Sequence, residues 1–152
     1  MDNKKQKNFG IEIKHGFHCT TPIQLRLFDL DTLGHVNNGV YFNLFDLAKS
    51  DYFEKVTGKP ADPNNIEVLI ANINCDFLAE TLFNENIAVL TQTESIGKKS
   101  FKLVQALINT DTGQFKCICS QILVHFDPET RATSPVPQLW RDAISRFEQR
   151  PM

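Results

Sequence analysis

The stretch FDLDTLGHVNNGVYF, residues 28–42, gathers an unusual number of polar side chains between two apolar segments. It contains two aspartates, a histidine, a glycine and two adjacent asparagines within ten positions. The residues before it alternate like a strand, and those after it have helical periodicity. Polar residues concentrated at such a junction indicate a reaction site, because functional side chains often lie in loops that a rigid scaffold positions.

The segment that follows this stretch is predicted to form a long helix. Its apolar residues recur at helical spacing: Val40, Tyr41, Leu44, Phe45, Leu47, Ala48, Tyr52 and Val56. Asn37 or Asn38 is expected to cap its start, and Gly58 followed by Pro60 is a good stop signal. The helix is therefore expected to have about five turns. Its broad apolar arc predicts cover on more than one side.

The rest of the chain predicts about five strands and a short terminal helix. Residues 17–27 alternate, and Pro22 indicates an edge or a bulge there. Further strands are expected at 66–77, 86–95, 100–109 and 115–126. The segment 100–109 is apolar on both faces, which predicts a central strand. The predicted buried face of 66–77 carries Leu69, Ala71, Ile73, Cys75 and Phe77. A final helix is expected over 139–149.

The order strand, helix, four strands, helix predicts an α+β fold with a mostly antiparallel sheet. Short links between the later strands favour hairpin pairing. We expect a single domain over residues 10–150, preceded by a flexible polar segment, residues 1–9.

Composition excludes several classes of partner. A net charge of −2 and a pI near 6.1 argue against a nucleic-acid-binding surface. No apolar run approaches the length that spans a membrane, and no apolar region follows the basic start, so neither a membrane partner nor a secretory signal is expected. The cysteine spacing fits neither a zinc site nor a disulfide framework. Reduced cysteines and a cytoplasmic location are therefore expected.

The first interpretation of the polar stretch is a phosphatase-like aspartate site. FDLDTLG looks like the FDLDGT opening of haloacid-dehalogenase-type phosphatases, but that family has Thr or Val where this chain has Leu33. It also requires a buried parallel strand before the motif, whereas residues 17–27 alternate. The chain lacks the βαβ rhythm of a doubly wound sheet, so this interpretation is not favoured.

A second interpretation is a metal site built from Asp29, Asp31 and His35. These residue types are acceptable ligands. Their spacing matches no strong metal motif, however, and the downstream chain supplies no obvious further ligand. A hydrogen-bonded turn residue is the commoner role for His35, and no metal is expected.

A third interpretation is acyl transfer to water. Gly34 allows a tight or left-handed turn, after which the helix begins near Asn37 or Asn38 with unpaired N–H groups. Such donors suit a carbonyl oxygen that gains negative charge. Asp31 would attack the carbonyl carbon or take a proton from water. The alternative for Asp31 is a turn-stabilising side-chain interaction, and the chemistry alone leaves both open.

The segment DLDTLGHVNNGVYFNLFDLA, residues 29–48, resembles the hotdog-fold acyl-CoA thioesterases of the 4-hydroxybenzoyl-CoA thioesterase-like branch. Its pattern is D-x-D-x-x-G-H-V-N-N-x-x-Y, and INCDFLAETLFNENIAV and IGKKSFKL resemble later segments of that branch. The resemblance covers about residues 12–148. It implies a curved antiparallel sheet wrapped around one long central helix. It also implies a homodimer or homotetramer with active sites at subunit boundaries.

The resemblance assigns roles to the motif residues. Asp31 would be the nucleophile or general base, and a backbone N–H near Asn37 or Asn38 would hold the oxyanion. His35 would help to position water or Asp31 without being the main base. The substrate would be an acyl-CoA, with coenzyme A as part of the substrate and no metal or redox cofactor.

Five residues are expected to contact the substrate: Gly34, Asn37, Tyr41, Lys98 and Lys99. The two lysines would meet the phosphates of coenzyme A, with Arg131 a weaker candidate, although two solvated loop lysines are an equal alternative. Tyr41 is also a candidate core residue.

Specificity stays open at this stage. His35, Asn37 and Asn38 stand where the aromatic-substrate members have more apolar or aromatic residues, so aromatic and aliphatic acyl groups both remain possible. Hydrolysis of acyl groups from acyl carrier protein is one alternative function. A non-catalytic acyl-binding protein with the same fold is another.

Overall fold

Six antiparallel strands and two helices form the part of the chain that the computed structural model describes, residues 10–65 and 67–152. In chain order they are β1 (Cys19–Ile23), α1 (Asn38–Thr57), β2 (Val68–Phe77), β3 (Ile87–Ile96), β4 (Ser100–Asn109), β5 (Phe115–Asp127), β6 (Ala132–Thr133) and α2 (Gln138–Glu148). One 3-10 turn, Leu27–Asp29, joins β1 to the loop before α1. The predicted flexible segment 1–9 lies outside the described residues, so the domain division stays a prediction.

The main strands are ordered β1-β3-β4-β5-β2, and β6 pairs with the end of β5. Every pairing among them is antiparallel, which confirms the predicted α+β class with an antiparallel sheet. β4 lies in the middle, as its apolar sequence on both faces predicted. β1 lies at one edge of the sheet and therefore has a neighbouring strand on one side only. Pro22, which has no backbone N–H to donate, is tolerated in such an edge strand. β2 forms the other edge.

Helix α1 begins and ends at the predicted signals. Asn37 is the N-cap, and its side-chain oxygen accepts a hydrogen bond from the backbone N of Gly39 at 2.9 Å. Gly58 ends the helix with φ 70°, a left-handed conformation that favours glycine. The side chains buried from α1 are Tyr41, Leu44, Phe45, Ala48 and Tyr52. They lie on the apolar stripe that the spacing predicted.

The prediction that α1 is covered on more than one side is confirmed for its second half, where Tyr52 and Phe53 also pack against Phe147 and Trp140 of α2. Leu47, assigned to the apolar arc, is 56% exposed. The buried stripe packs on the inner face of the sheet, where Gln105 also donates a hydrogen bond to the backbone oxygen of Phe45 at 2.9 Å. Leu47 lies outside the buried stripe of α1.

The predicted buried face of β2 is partly wrong. Leu69 is 46% exposed and Ala71 is exposed, whereas Ile73 and Cys75 pack on the core beneath α1. The cause is an irregularity in the pairing with β5 between Ile70 and Asn72. An extra residue in one strand reverses which side chains face inward, because side chains alternate along a strand.

One smaller difference concerns the length of β1. β1 is shorter than predicted because the chain leaves the sheet after Ile23 and forms the 3-10 turn. The terminal helix matches its prediction within one residue at each end. Within residues 10–65 and 67–152, no helix is both long enough and apolar enough to cross a bilayer.

Candidate functional site

The polar stretch folds into a tight loop that closes on itself before α1. A β-bridge joins Leu30 to Val36. Inside it, the backbone N of Asp31 donates to the oxygen of His35 at 2.8 Å, and the N of Gly34 donates to the oxygen of Asp31 at 3.1 Å. Gly34 has φ 76°, which confirms the predicted left-handed turn. Asp31 and His35 therefore lie side by side at the start of the helix.

The two aspartates of the motif have different partners. Asp29 is 2% exposed and forms an ion pair with Arg26, whose Nη2 lies 2.8 Å from Oδ1. The side-chain hydrogen bond from Arg26 lowers the pKa of the Asp29 carboxyl. Its Oδ2 also accepts from the backbone N of Arg26 at 2.7 Å. Asp29 is thus committed to holding the 3-10 turn.

Asp31 is half-buried and uses one carboxylate oxygen locally. Its Oδ1 accepts from the backbone N of Leu33 at 2.8 Å and from that of His35 at 3.2 Å. This is the turn-stabilising interaction that the sequence left as an alternative. Oδ2 has no hydrogen-bond partner among the described residues. The carboxylate is therefore held in orientation through Oδ1 alone.

The amide groups at the start of α1 are nearly all occupied. The N of Asn37 donates to the oxygen of Asp29 at 2.8 Å, Gly39 donates to the Asn37 side chain, and Val40 donates to the Asn37 oxygen at 2.9 Å. Within the described part of the chain, the N of Asn38 alone has no partner among these groups. Helix starts leave such donors unpaired. Of the two predicted donor positions, Asn38 is the one with an available amide.

The connection between β2 and β3 forms the back of the site, and the sequence reasoning missed it. The N of Val36 donates to the oxygen of Thr81 at 2.9 Å, and the hydroxyl of Tyr41 donates to Thr81 Oγ1 at 2.9 Å. Glu80 approaches the loop with Oε2 3.4 Å from His35 Nε2. The only signal available was a polar Glu-Thr pair after a strand, which is common in ordinary turns.

An ion pair between the buried Lys116 and the half-buried Glu85 holds this connection in place. Lys116 Nζ lies 2.6 Å from Glu85 Oε1 and donates to the backbone oxygen of Glu80 at 2.9 Å. Burial alone would raise the pKa of the Glu85 carboxyl, but hydrogen bonds from Lys116, the N of Leu82 and the side chain of Asn109 lower it. The carboxylate is thus charged and fully engaged. The pair positions the backbone that meets the motif loop.

Tyr41 lies in the core of this chain. It is 2% exposed, its ring meets the edge of Phe77 at 5.2 Å, and burial raises the pKa of its hydroxyl. With its hydroxyl engaged by Thr81, it fits the core alternative better than the substrate-contacting role. Asn37 likewise uses its side-chain oxygen as the helix cap.

Lys98 and Lys99 do not meet the motif within one chain. They are exposed in the turn between β3 and β4, at the end of β3 far from Ile87. The motif lies at the Ile87 end, since β1 pairs there and leads directly into the loop. Ten strand residues separate the two ends, about 30 Å at the usual rise per residue. Arg131 lies in the turn between β5 and β6 and is also exposed.

The geometry also bears on the two interpretations that the sequence did not favour. The sheet is antiparallel, unlike the parallel sheet that the phosphatase interpretation requires. Within the described residues, no group of three or more histidine, cysteine or acidic side chains has the geometry to hold a metal ion. Asp29, one of the three proposed ligands, is bound to Arg26 instead.

The architecture defines a class of protein: a long helix packed on an antiparallel sheet, with a short C-terminal helix, is the arrangement of hotdog-fold thioesterases. The chain belongs to the thioesterase-like superfamily, whose family model matches residues 25–144.

Two curated relatives match part of the chain. The long-chain acyl-CoA thioesterase FadM of Escherichia coli (strain K12) is 27% identical over 100 residues, which are 62% of this chain and 72% of FadM. The uncharacterized protein YsmA of Bacillus subtilis (strain 168) is 26% identical over 92 residues, 60% of this chain and 62% of YsmA. The chain thus spans less than two thirds of YsmA.

Solved structures share the fold over most of the chain. A thioesterase from Thermus thermophilus, in complex with coenzyme A and zinc, has a TM-score of 0.81 at 26% identity, covering 90% of this chain and 98% of that one. A mutant 4-hydroxybenzoyl-CoA thioesterase bound to 4-hydroxybenzoyl-CoA has a TM-score of 0.73 at 21% identity, covering 83% and 97%. The predicted hotdog fold, the family resemblance and the thioesterase class are confirmed.

We expect Asp29→Asn to lower stability at neutral pH, with a deficit that shrinks in acid. The folded-state pKa of Asp29 is lowered by Arg26, so its contribution is present above the unfolded pKa of about 3.9 and is lost as pH falls through the folded-state value. Urea unfolding of wild type and variant at pH 7 and near pH 3 measures this. Glu54→Gln, on the exposed face of α1, is the control and should show no such change. A deficit independent of pH would contradict the prediction.

Proposed function

We propose that the protein hydrolyses an acyl-CoA thioester to a free acid and coenzyme A. One observation carries this proposal: two groups lie at the same loop–helix junction. One is a carboxylate whose second oxygen accepts no hydrogen bond, and the other is a backbone amide that donates none, in both cases within the described residues. Asp31 supplies the carboxylate, and Asn38 supplies the amide. Relatives support the substrate class, since FadM is named as a long-chain acyl-CoA thioesterase and a structural neighbour holds coenzyme A.

The amide of Asn38 is proposed to polarise the thioester carbonyl. It lies at the first residue of α1, where the helix dipole adds partial positive charge. As the carbonyl carbon becomes tetrahedral, its oxygen gains negative charge and the hydrogen bond strengthens. A single oxyanion donor of this kind is commonly worth about 10²–10³ in kcat.

The carboxylate of Asp31 is proposed to act through Oδ2 as nucleophile or general base. As a nucleophile it would form an acyl-aspartyl anhydride that water then hydrolyses; as a base it would take a proton from water that attacks directly. In both routes the C–S bond breaks and coenzyme A leaves as a thiol after protonation. The two backbone donors to Oδ1 fix the carboxylate in advance, which suits either role.

His35 is proposed to orient water or Asp31. Its backbone N donates to Asp31 Oδ1, and its ring approaches Glu80.

Neither route requires a metal or redox cofactor. A cytoplasmic location is part of the proposal, and its support is that all four cysteines are free.

The surface beside the junction supports an apolar acyl group carried on coenzyme A. Leu27, Phe28 and Leu33 are 67%, 95% and 75% exposed around the motif. Arg26 is the one lysine or arginine in residues 24–41, and Asp29 pairs with it. An acidic carrier protein would need a more basic surface. The acyl carrier protein alternative therefore has less support.

We also propose that the protein works as a homodimer joined along β2. β2 is an edge strand with exposed Leu69 and Ile70, and Leu47 of α1 has no cover within the described chain. Two-fold antiparallel pairing would set the Val68 end of one strand beside the Phe77 end of the other. The lysine-bearing end of one copy would then approach the motif of its partner. Lys98 and Lys99 would regain their predicted role with coenzyme A phosphates only in such a pair.

We expect Asp31→Asn to reduce coenzyme A release at least about a hundredfold, because general acid–base or nucleophilic groups contribute about 10²–10⁴. The substituted amide keeps an oxygen that can accept from Leu33 and His35, so the loop should persist. Thiol release from a panel of acyl-CoAs, with circular dichroism for folding, measures both. Equal rates in wild type and variant would remove Asp31 from its role. Acyl-CoA binding by the wild type without thiol release would support the non-catalytic alternative.

Asn38→Pro and Asn38→Ala separate the backbone amide from the side chain. Proline is tolerated at the first position of a helix, and Asn37, with φ −61° and ψ 137°, already has the conformation required before proline. The proline variant should therefore fold but lose about 10²–10³ in kcat, since it removes the proposed donor. The alanine variant keeps the amide and should stay close to wild type. The reverse pattern would contradict the assignment.

We expect Ile70→Lys to shift the protein from dimer to monomer in sedimentation equilibrium, because a charged side chain on an edge strand opposes strand pairing. Leu139→Lys is the matched control, since Leu139 is 78% exposed on α2, away from β2. It should leave the mass unchanged. A monomeric wild type, or equal effects of the two variants, would overturn the proposed interface.

A further inference from the structure

Three of the four thiols lie together on the inner face of the β2–β5 pair, and the proposed reaction uses none of them. Cys75 stands directly opposite Cys119 in the strand register, and Cys117 follows two residues away on the same face. All are free; Cys117 and Cys119 are buried, and Cys75 is half-buried. Strands distant in sequence thus bring three sulfur atoms to one place.

The irregularity in β2 is what turns Cys75 inward. Leu69, which precedes the irregularity, is an even number of residues from Cys75 and would share its face in a regular strand, yet Leu69 is 46% exposed. After it, Ile73 and Cys75 pack on the core cluster that contains Cys117 and Cys119. Because side chains stand perpendicular to a sheet, pairing of a second copy along the β2 edge would leave Cys75 on this inner face.

The cluster makes the three thiols chemically unequal. Hydrogen bonds from the thiols of Cys117 and Cys119 lower the pKa of Cys75, although burial opposes the effect. The same hydrogen bonds, with burial, raise the pKa of Cys117 and that of Cys119. The thiolate is the nucleophilic form of cysteine, and partial exposure admits a small oxidant. Cys75 is therefore the residue of the cluster that reacts first.

We propose that Cys75 and Cys119 form a reversible disulfide when the protein meets a peroxide. The sulfur of Cys75 attacks a peroxide oxygen, the O–O bond breaks, and the other oxygen leaves and is protonated. Cys75 is then a sulfenic acid. The thiol of Cys119 attacks that sulfur, the S–S bond forms and the S–O bond breaks, releasing water. Two thiols are oxidised by two electrons, and one peroxide is reduced.

Register selects Cys119 over Cys117 as the second thiol. Residues directly opposite in an antiparallel pair have Cα atoms about 4.5–5.5 Å apart, whereas diagonal neighbours are about 7–8 Å apart. Disulfides form where Cα atoms are within about 7 Å. Cys75 pairs with Cys119, and Cys117 pairs with Phe77, so Cys117 is diagonal to Cys75. Cys117 is expected to stay reduced.

Cys19 supplies an internal control. It lies in β1 at the opposite edge of the sheet, is 1% exposed, and belongs to a different core cluster. Burial raises the pKa of its thiol. A general loss of structure under oxidant would expose Cys19 as well, whereas a reaction specific to the cluster would spare it.

The test is mass spectrometry of the full chain treated with hydrogen peroxide, followed by alkylation of the remaining thiols. We expect a mass loss of two hydrogens, a peptide joining the Cys75 region to the Cys117–Cys119 region, and full return of the thiols with dithiothreitol. Cys75 should be oxidised at least about tenfold faster than Cys19, since oxidation follows thiolate character and exposure. The readout is independent of thioester hydrolysis, so failure here leaves the proposed function intact, and the reverse also holds.

Variants assign the bond. Cys117→Ser should retain the disulfide, and both Cys119→Ser and Cys75→Ser should abolish it. Fragmentation of the joined wild-type peptide between positions 117 and 119 gives the same assignment if a variant fails to fold. A bond that survives in Cys119→Ser, oxidation of Cys75 to sulfinic acid with no bond, or equal oxidation of Cys19 and Cys75 would each overturn the proposal.

Discussion

The two hydrogen bonds accepted by Thr81 fix the relation between the motif loop, the helix and the sheet. Its backbone oxygen binds the N of Val36, and its hydroxyl binds the Tyr41 hydroxyl in the first turn of α1. Thr81 is fully buried, so a movement of the helix start would leave buried polar groups unpaired. Each such group costs about 1–3 kcal/mol. The amide of Asn38 is therefore held at a fixed place beside the loop.

That constraint explains how two aspartates two residues apart acquire different roles. The Asp29 side chain pairs with Arg26, and the Asp29 backbone oxygen accepts a hydrogen bond from the N of Asn37. Asp29 therefore fixes the segment that leads into α1. Asp31 lies inside the loop and gives one oxygen to its turn. With Asp29 holding the framework, the second oxygen of Asp31 is not required for structure. The different roles of Asp29 and Asp31 follow from their different hydrogen-bond partners, because both residues are aspartates.

Local signals predicted the parts of the fold that depend on neighbours in sequence. Asn37 and Gly58 bound α1 as expected, because capping and left-handed termination depend on a few adjacent residues. The central position of β4 followed from apolarity on both faces. The motif loop and its glycine turn were also predicted correctly. The errors concern features that depend on distant partners. Nothing in VLIANINCDF marks the irregularity near Ile70, because it depends on how β2 meets β5.

The same reason accounts for the site residues that one chain keeps apart and for those that were missed. Lys98 and Lys99 were grouped with the motif, although the length of β3 keeps them apart. Thr81 and Glu80 were missed because their roles arise only when the β2–β3 connection reaches the loop. The choice of Asn38 over Asn37 likewise required knowing that Asp29 occupies the Asn37 amide.

β2 is the element where the two proposals meet, and sheet geometry keeps them separable. Pairing with a second copy would use the backbone N–H and C=O groups that point along the plane of the sheet from the free edge. A bond from Cys75 to Cys119 would use a side chain that stands perpendicular to that plane, and it would join β2 to the neighbour it already pairs with. The disulfide would therefore hold the register of β2 on β5, including the inward orientation set by the irregularity near Ile70. Since Phe77 follows Cys75 by two residues and touches Tyr41, that register continues directly into the packing of the first turn of α1.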